Sequence, residues 1–369
     1  MRSGTEEELS AIIAGANGPL RIAGGGTRPV GWPVAGDVLD ASGIAGIRLY
    51  EPGALTLVAG AGTPLAEVEA ALAAEGQRLA FEPADWRGLL GTSGEPTLGG
   101  MVAANISGPR RVQAGAARDA LLGVRFVDGT GAIVKNGGRV MKNVTGYDLV
   151  KLMAGAWGTL GVLTEVSLKV LPAPESVAVL VLEGLHDGDA LSAMTAALGS
   201  PYDVTGAAHG AMGTLIRIEG FAQSVAYRSE RLAVLLGRFG PVRVETAAET
   251  CRTLWRDVRD VEAFHSAKGD VWRLSVRPSD APDLVARAGA RAVLYDWGGG
   301  LVWLLMPEGE DLRARLGPFA GHATLIRATE EVRRRIAPFQ PEPAAIAAIS
   351  AGLRARFDPK GILNPGLMG

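Results

Sequence analysis

Three glycine-rich segments lie in the first half of the chain, at residues 24–27, 94–105 and 155–161. The first of them directly follows a predicted strand over residues 20–23. Successive glycines let backbone N–H groups converge on an anion, although an ordinary strand-to-loop turn uses the same residues. A turn could explain one such segment, but a large cofactor that contacts several loops explains three of them better. The chain is therefore expected to form a loop-rich domain around a phosphate-bearing ligand.

The residue composition excludes several other kinds of site. The 369 residues include 37 basic and 39 acidic side chains, and the net charge of −2 gives no general attraction to nucleic acid or to an anionic bilayer. The single cysteine, Cys251, cannot form an intrachain disulfide or hold an iron–sulfur cluster. All four histidines lie beyond residue 185, and no metal site is predicted. The acidic N-terminus and the lack of a run of about 18 apolar residues favour a cytoplasmic protein.

Local patterns predict an alternation of helices and strands. Thr5 and Glu8 have capping-box spacing at the start of a helix that ends near residue 15. The run Asp128-Gly129-Thr130-Gly131 separates two β-rich stretches, which is typical of a hairpin. No G-x-G-x-x-G sequence stands at a strand–helix junction, so a Rossmann dinucleotide site is not expected. Further predictions include helices over 99–105, 149–154, 187–198, 223–237, 248–261 and 344–357, and strands over 38–40, 46–50, 54–59, 161–170, 177–182, 215–219, 272–276, 292–295 and 301–306.

Five sequence motifs together resemble one family of flavoproteins. They are GGGT (24–27), PTLGGMVAAN (96–105), GAARD (115–119), VTGYDLVKLMAGAWGTLGVLTE (144–165) and FDPKGILNPG (357–366). Their order and spacing resemble the FAD-binding module of the vanillyl-alcohol-oxidase family, which D-lactate and D-2-hydroxyglutarate dehydrogenases share. The resemblance implies an α+β fold that begins with a PCMH-type FAD-binding domain of two α+β subdomains at residues 1–172. A smaller α+β cap or substrate-type domain would follow at 173–335, and a C-terminal helix and Asn-Pro-Gly segment at 336–369 would return to the FAD domain.

The same resemblance implies which residues hold FAD. The first glycine segment would wrap the pyrophosphate, and the second would line the pyrophosphate and the flavin. Residues 115 and 119 would lie near the ribityl chain and flavin, residues 161 and 162 at the adenine end or the flavin edge, and residue 364 would bring the C-terminal segment toward the flavin. The implied cofactor-binding residues are Gly24, Gly25, Gly26, Thr27, Pro96, Thr97, Leu98, Gly99, Gly100, Asn105, Gly115, Asp119, Gly161, Val162 and Asn364.

Two departures from the family pattern affect the predicted chemistry. Members that bind FAD covalently use a histidine or a cysteine, but no histidine precedes His186 and Cys251 lies outside the implied FAD domain, so a non-covalent FAD is expected. The hydroxyacid dehydrogenases carry H-x-G-D-G-N-x-H and E-H-G motifs that supply a metal site and a general base, and neither motif occurs here. The catalytic residues are therefore unknown. Arg273 and Arg277 alternate along a predicted strand, where they could hold an anion or lie on a solvated strand face.

Within the family, a short chain with these features resembles the FAD-binding subunit of a multi-subunit complex that oxidises glycolate, a D-2-hydroxyacid, to glyoxylate. The implied partners are a paralogous FAD-linked catalytic subunit and an iron–sulfur subunit that receives the electrons. Attachment to the inner face of the cytoplasmic membrane would occur only through these partners. Two alternatives stay open: a self-sufficient FAD-dependent hydroxyacid oxidoreductase, and a non-catalytic subunit that needs FAD for assembly.

Overall fold

The computed structural model describes residues 1–139 and 146–369, which form two main β-sheets surrounded by helices. The strands are β1 (Leu20–Ala23), β2 (Asp37–Asp40), β3 (Ile47–Glu51), β4 (Thr56–Gly60), β5 (Gln77–Arg78), β6 (Leu121–Val127), β7 (Ile133–Gly137), β8 (Val162–Lys169), β9 (Leu171–Pro172), β10 (Ser176–Leu182), β11 (Val204–Gly210), β12 (Gly213–Gly220), β13 (Val242–Glu245), β14 (Asp270–Val276), β15 (Ala292–Asp296), β16 (Leu301–Met306) and β17 (Gly321–Arg327). The helices are α1 (Glu6–Gly15), α2 (Leu65–Ala74), α3 (Arg87–Leu90), α4 (Leu98–Ala103), α5 (Arg111–Ala114), α6 (Ala117–Ala120), α7 (Leu149–Met153), α8 (Asp187–Leu198), α9 (Ala222–Leu236), α10 (Ala248–Asp260), α11 (Ala281–Ala288), α12 (Leu312–Leu316), α13 (Glu330–Arg335) and α14 (Ala344–Phe357). Within these two stretches of the chain, no helix is long and apolar enough to cross a membrane.

The first half of the chain contains an antiparallel five-stranded sheet in the order β3-β4-β8-β6-β7, together with a separate parallel pair, β1-β2. All five residues of β4 are buried, so this strand runs through the interior of the sheet. The turn between β6 and β7 is held by Asp128, whose Oδ1 accepts hydrogen bonds from the N–H groups of Thr130 (2.9 Å) and Ala132 (3.0 Å). An aspartate in this position stabilises a tight turn. Because β6 and β7 pair in antiparallel orientation on either side of it, the predicted hairpin is confirmed.

The predicted first helix is confirmed as α1. The Thr5 hydroxyl accepts a hydrogen bond from the N–H of Glu8 at 3.1 Å, as the capping pattern requires. The Glu8 carboxylate accepts its bond from the N–H of Gly4 at 2.8 Å, one residue before the expected donor. Leu9 and Ile13 are fully buried on one side of the helix, in a cluster that includes residues of β1, β2 and the 362–363 segment. The helix therefore fixes β1 next to the C-terminal part of the chain.

Two consecutive βαββαβ units build the second sheet, one from β10, α8, β11, β12, α9 and β13, the other from β14, α11, β15, β16, α12 and β17. Their strands form one antiparallel sheet in the order β13-β10-β12-β11-β15-β16-β14-β17. The units meet edge to edge, where His209 of β11 pairs with Tyr295 of β15. The residue types differ, as Ser-Val-Ala-Val-Leu-Val-Leu in β10 and Asp-Val-Trp-Arg-Leu-Ser-Val in β14 show. The duplication is therefore visible in the backbone and not in the sequence.

Most of the elements predicted after residue 172 are confirmed. The helices α8, α9 and α10 lie within one residue of the predicted limits, and α14 matches them at both ends. The prediction over 99–105 is one residue late, because Thr97 caps α4 and the helix begins at Leu98. The sequence pattern does not indicate β11, whose residues Val-Thr-Gly-Ala-Ala-His-Gly have low β-propensity. This segment becomes a strand because β12 and β15 pair with its two edges.

A group of buried ion pairs joins the first half of the chain to β12. Arg217 donates hydrogen bonds to both carboxylate oxygens of Glu82, at 2.8 and 2.7 Å. Arg78 donates to the carboxylate of Glu219 at 2.7 Å, and Arg110 also pairs with that carboxylate. Burial alone would raise the pKa of Glu219, but the three neighbouring arginines bring the pKa down to about 2. The carboxylate is therefore ionised and held between the two halves.

The two sheets also share a hydrophobic core. Trp86, which precedes α3, packs edge to face against Trp303 of β16, with 5.6 Å between the ring centroids. The five-stranded sheet ends at Lys169, and the eight-stranded sheet begins at Ser176. The domain limits at residues 172 and 335 stay a prediction.

Candidate cofactor site

A cavity of about 480 Å³ lies in the first half of the chain, a volume within the range of cofactor pockets. Most of its wall comes from five parts of the sequence: residues 21–35, the start of α4, the segment 157–163, residues 330–334, and residues 364–367. Ten of the fifteen residues predicted to hold a cofactor line this cavity. They are Gly24, Gly25, Gly26, Thr27, Thr97, Gly99, Gly100, Gly161, Val162 and Asn364.

The loop after β1 offers backbone donors to the cavity. Gly26 has a φ of 68°, a left-handed conformation that favours glycine. Among the residues that the structure describes, none accepts a hydrogen bond from the N–H groups of Gly25, Gly26 or Thr27. Of these three residues Thr27 is buried, Gly25 is half-buried and Gly26 is exposed. Consecutive N–H groups without a protein acceptor form a concavity that suits a phosphate. The loop therefore fits the anionic part of a dinucleotide.

The second glycine segment packs directly on this loop. A Cβ atom on Gly25 would overlap the carbonyl oxygen of Glu95, and one on Gly94 would overlap the carbonyl oxygen of Gly25. Thr97 caps α4 by accepting a hydrogen bond from the N–H of Gly100 at 3.2 Å. Positions 25 and 94 must therefore be glycine, because the loop after β1 and the segment before α4 are in direct backbone contact. This contact places the loop and α4 in the same wall of the cavity.

Four arginines that the sequence analysis did not select also line the cavity, and two of them, Arg28 and Arg333, are half-buried. Arg28 donates to the carbonyl of Ala84 at 2.8 Å, and Arg333 donates to the carbonyl of Pro29 at 2.6 Å. The buried Nε atom of each guanidinium has no hydrogen-bond partner among residues 1–139 and 146–369. Burial lowers the pKa of Arg28 to about 10, which leaves the group charged at neutral pH. Two half-buried cations in a cavity wall fit an anionic ligand. The signal in the sequence was Arg28 itself, which directly follows the glycine segment.

Asn364 connects three parts of the cavity wall. Its Oδ1 accepts a hydrogen bond from the N–H of Ile22 at 2.8 Å, and its Nδ2 donates to the carbonyl of Trp157 at 2.8 Å. The residue has a φ of 43° and is 5% exposed, so its amide is held in the interior by these two partners. Asparagine suits this position because it tolerates the left-handed conformation and offers both a donor and an acceptor.

Replacing Asn364 by aspartate is expected to lower the free energy of unfolding by about 1–3 kcal/mol, because a carboxylate oxygen would then face the Trp157 carbonyl without a donor. Asn105→Asp is the matched control. Asn105 has a similar φ of 50°, and its Oδ1 accepts from the N–H of Arg118, a bond that aspartate keeps. Denaturant unfolding of both variants in their ligand-free form measures the difference, and equal losses would contradict the role given to the Asn364 amide.

The other five predicted residues lie outside the cavity wall. Leu98 is fully buried in the hydrophobic core, and the carbonyl of Pro96 accepts a hydrogen bond from the N–H of Leu65 at 2.8 Å. The side-chain oxygen of Asn105 accepts a hydrogen bond from the N–H of Arg118. The Asp119 carboxylate accepts one from the N–H of Ala116 at 2.9 Å. Gly115 lies next to Asp119 and has a φ of 80°. These contacts stabilise the loops behind the cavity, and a cofactor contact for these residues stays a prediction.

Two further expectations concern attachment and metals. Neither a histidine nor a cysteine is among the residues that line the cavity, and non-covalent binding stays a prediction. No group of three or more His, Cys, Asp or Glu side chains in the described parts of the chain could hold a metal ion. Val144 and Thr145, the first residues of the fourth motif, lie outside the described residues.

Comparison with known proteins identifies the kind of cofactor domain. Residues 1–137 match the family model of an FAD binding domain. The chain is 37% identical over 353 residues to the glycolate oxidase subunit GlcE of Escherichia coli (strain K12), across 95% of this chain and 92% of GlcE. It is 31% identical over 176 residues to the glycolate oxidase subunit GlcD of Bacillus subtilis (strain 168), across 47% of this chain and 35% of GlcD. The solved structure of an alkyldihydroxyacetonephosphate synthase has the same fold, with a TM-score of 0.70 and 17% identity, and covers 99% of this chain and 76% of that one.

The fold and the cavity thus define a flavoprotein with a PCMH-type FAD-binding domain. Its α+β architecture agrees with the predicted fold class. The chain belongs to the family of FAD-linked oxidoreductases that includes glycolate oxidase subunit GlcE.

Proposed function

We propose that this chain is the FAD-binding subunit of a multi-subunit glycolate (D-2-hydroxyacid) oxidase. The observation that carries the proposal is the 37% identity to a glycolate oxidase subunit over nearly the full length of both chains. A second, shorter likeness to the subunit GlcD supports a paralogous FAD-linked subunit as one partner. The complex would convert glycolate to glyoxylate, and an iron–sulfur subunit would receive the electrons. We place the complex in the cytoplasm, with any membrane attachment through its other subunits.

The residues of the cavity fit FAD. The free N–H groups of Gly25, Gly26 and Thr27 and the guanidinium groups of Arg28 and Arg333 would hold its pyrophosphate. The remaining residues of the cavity wall would enclose the rest of the dinucleotide. When bound, FAD supplies a hydride acceptor that can also transfer single electrons. The same wall supports non-covalent attachment, because it offers no nucleophilic side chain of the kind that forms a flavin linkage.

The test compares the chain produced alone with the chain produced together with its two proposed partners. The lone chain is expected to be yellow, to absorb near ~450 nm through its flavin, and to leave glycolate unoxidised with an artificial electron acceptor. Acid precipitation should leave the FAD in the supernatant, as non-covalent binding requires. Co-expression should restore glycolate-dependent reduction of the acceptor.

Three outcomes would overturn parts of this proposal. A colourless chain that stays colourless after FAD is added would exclude the cofactor role. Rapid glycolate oxidation by the lone chain would favour a self-sufficient oxidoreductase. A complex that oxidises glycolate at the full rate when this subunit carries no FAD would favour an assembly role.

A further inference from the structure

Two arginine side chains outside the cofactor cavity contact the same indole ring. The guanidinium carbon of Arg111, on α5, lies 4.4 Å from the ring centroid of Trp297. That of Arg273, on β14, lies 5.1 Å from the same centroid and 5.9 Å from that of Trp303. Arg111 from the first half of the chain and Arg273 from the second sheet thus form one cationic cluster against the indole rings of Trp297 and Trp303.

Neither guanidinium has a polar partner of its own. Among residues 1–139 and 146–369, no side chain or carbonyl accepts a hydrogen bond from Arg111 or Arg273, and neither forms an ion pair. Other half-buried arginines of the chain are well satisfied: Arg313 donates to three carbonyl groups and Arg327 to five. Since a partly desolvated guanidinium with free donors gains from an ionic partner, an external anion is expected at the Arg111–Arg273 pair.

The neighbouring titratable groups do not neutralise the pair. Burial lowers the pKa of Arg273 to about 10, with a further decrease from Arg111. Burial raises the pKa of Asp296 to about 7, so that this carboxyl is only partly ionised at neutral pH. Burial, followed by the two arginines, lowers the pKa of His322. The remaining charged neighbours, Arg118 and Asp119, lie on the side of Arg111 and oppose each other in sign.

The backbone at Trp297 is strained, and hydrogen bonds fix the position of its indole ring and its main chain. Trp297 has a φ of 53°, a left-handed conformation that is rare for a bulky residue, and Gly298 and Gly299 follow with φ values of 64° and 97°. Its Nε1 donates a hydrogen bond to the carbonyl of Gly108 at 3.0 Å. The N–H of Trp297 donates to the Asp296 carboxylate at 2.7 Å. Strain of this kind persists at sites where the orientation of a side chain matters.

We infer that Arg111 and Arg273 bind the carboxylate of a small hydroxyacid or ketoacid, with Trp297 and Trp303 as the apolar walls of the site. A guanidinium offers parallel N–H donors that match the two oxygens of a carboxylate. The half-buried position of both arginines leaves the site accessible, and His322 beside it is exposed. The inference deepens the proposed function, on which the choice of hydroxyacids as ligands rests. Arg277, the other arginine of the predicted pair, is 72% exposed and bound to Asp280 at 2.9 Å, so it lies on the surface.

The test is isothermal titration of the full chain with glycolate, in its FAD-loaded and FAD-free forms, with ethylene glycol as the ligand that lacks a carboxylate. Arg273→Met and Arg111→Met are each expected to weaken glycolate binding at least about tenfold, which is ~1.4 kcal/mol. Arg277→Met is the matched control and should bind glycolate as the unchanged chain does. Arg273→Lys retains the charge but not the paired donors, and its affinity for glycolate should lie between those of Arg273→Met and the unchanged chain.

The outcomes separate this inference from the proposed function. Equal glycolate affinity in all four variants, or no glycolate binding by a chain that holds FAD, would overturn the carboxylate site and leave the FAD-binding role intact. Loss of FAD binding with retained, arginine-dependent glycolate binding would overturn the FAD role alone. If Arg273→Met fails to fold, the Arg111→Met and Arg273→Lys variants decide the question.

Discussion

Gly26→Ala is expected to reduce the affinity for FAD at least about tenfold, or ~1.4 kcal/mol. Gly26 lines the cavity with a φ of 68°, and no atom of the protein lies within 4 Å of the Cβ that alanine would add. The new methyl group would occupy the space in front of the free N–H groups, where the pyrophosphate is proposed to bind. The left-handed backbone adds a stability cost of roughly 1–2 kcal/mol for any residue with a Cβ.

Gly76→Ala separates the backbone cost from the effect on the cofactor. Gly76 has a φ of 63°, also has no atom within 4 Å of its added Cβ, and lies outside the cavity wall. Both variants should therefore lose similar stability in the FAD-free form, but only Gly26→Ala should lose FAD affinity in a flavin-fluorescence titration. Equal affinities in the two variants would contradict the position given to the pyrophosphate. Gly25 is unsuitable for this comparison, because its Cβ would overlap the Glu95 carbonyl and disturb the fold.

Arg217→Met is expected to lower the free energy of unfolding by about 3–5 kcal/mol, because removal of one member of a buried ion pair leaves its partner charges uncompensated. The Arg217 side chain is 4% exposed and bonded to both oxygens of Glu82, and it lies over the ring of Trp255 at 4.4 Å. Methionine has a similar length and preserves the apolar contact with Trp255, so the loss of stability measures the effect of removing the charge.

Arg243→Met is the control for this variant. Arg243 is 56% exposed, and its contacts with Glu183 and Glu245 are both 3.6 Å long. Such a surface pair contributes about 0–1 kcal/mol, so this variant should be nearly as stable as the unchanged chain. Urea unfolding of the two FAD-free variants gives the comparison. A loss below about 1 kcal/mol for Arg217→Met would show that the junction between the two halves does not depend on this charge.

The elements that could be predicted from the sequence are those specified by local chemistry. The caps of α1, the Asp128 turn and the apolar spacing of α8 to α10 each depend on residues within a few positions of one another. The joining of two βαββαβ units into one sheet depends on β11 and β15, which are more than 80 residues apart and meet at His209 and Tyr295. No short-range pattern contains that pairing.

The residues of the candidate site also divide into those that local sequence indicates and those that only the folded chain reveals. The glycines at 24–26 and at 99–100 could be selected because closely spaced glycines are unusual and have a physical use. Arg28 could have been selected because it directly follows the first glycine segment, but Arg333 carries no such signal. What both share is a place in the cavity wall and a buried Nε without a partner, which only the folded chain shows. Pro96, Leu98, Asn105, Gly115 and Asp119 are predicted from their motifs alone, and they are not among the residues that line the cavity.

The hydrogen bond between Ile22 and Asn364 joins residues that are 342 positions apart. A growing chain on the ribosome exposes the glycine loop early, but it lacks the far wall of the cavity until translation has passed this asparagine. The cavity wall is therefore complete only once the chain through Asn364 has been made, and a nascent chain that stalls before this residue lacks one side of the pocket.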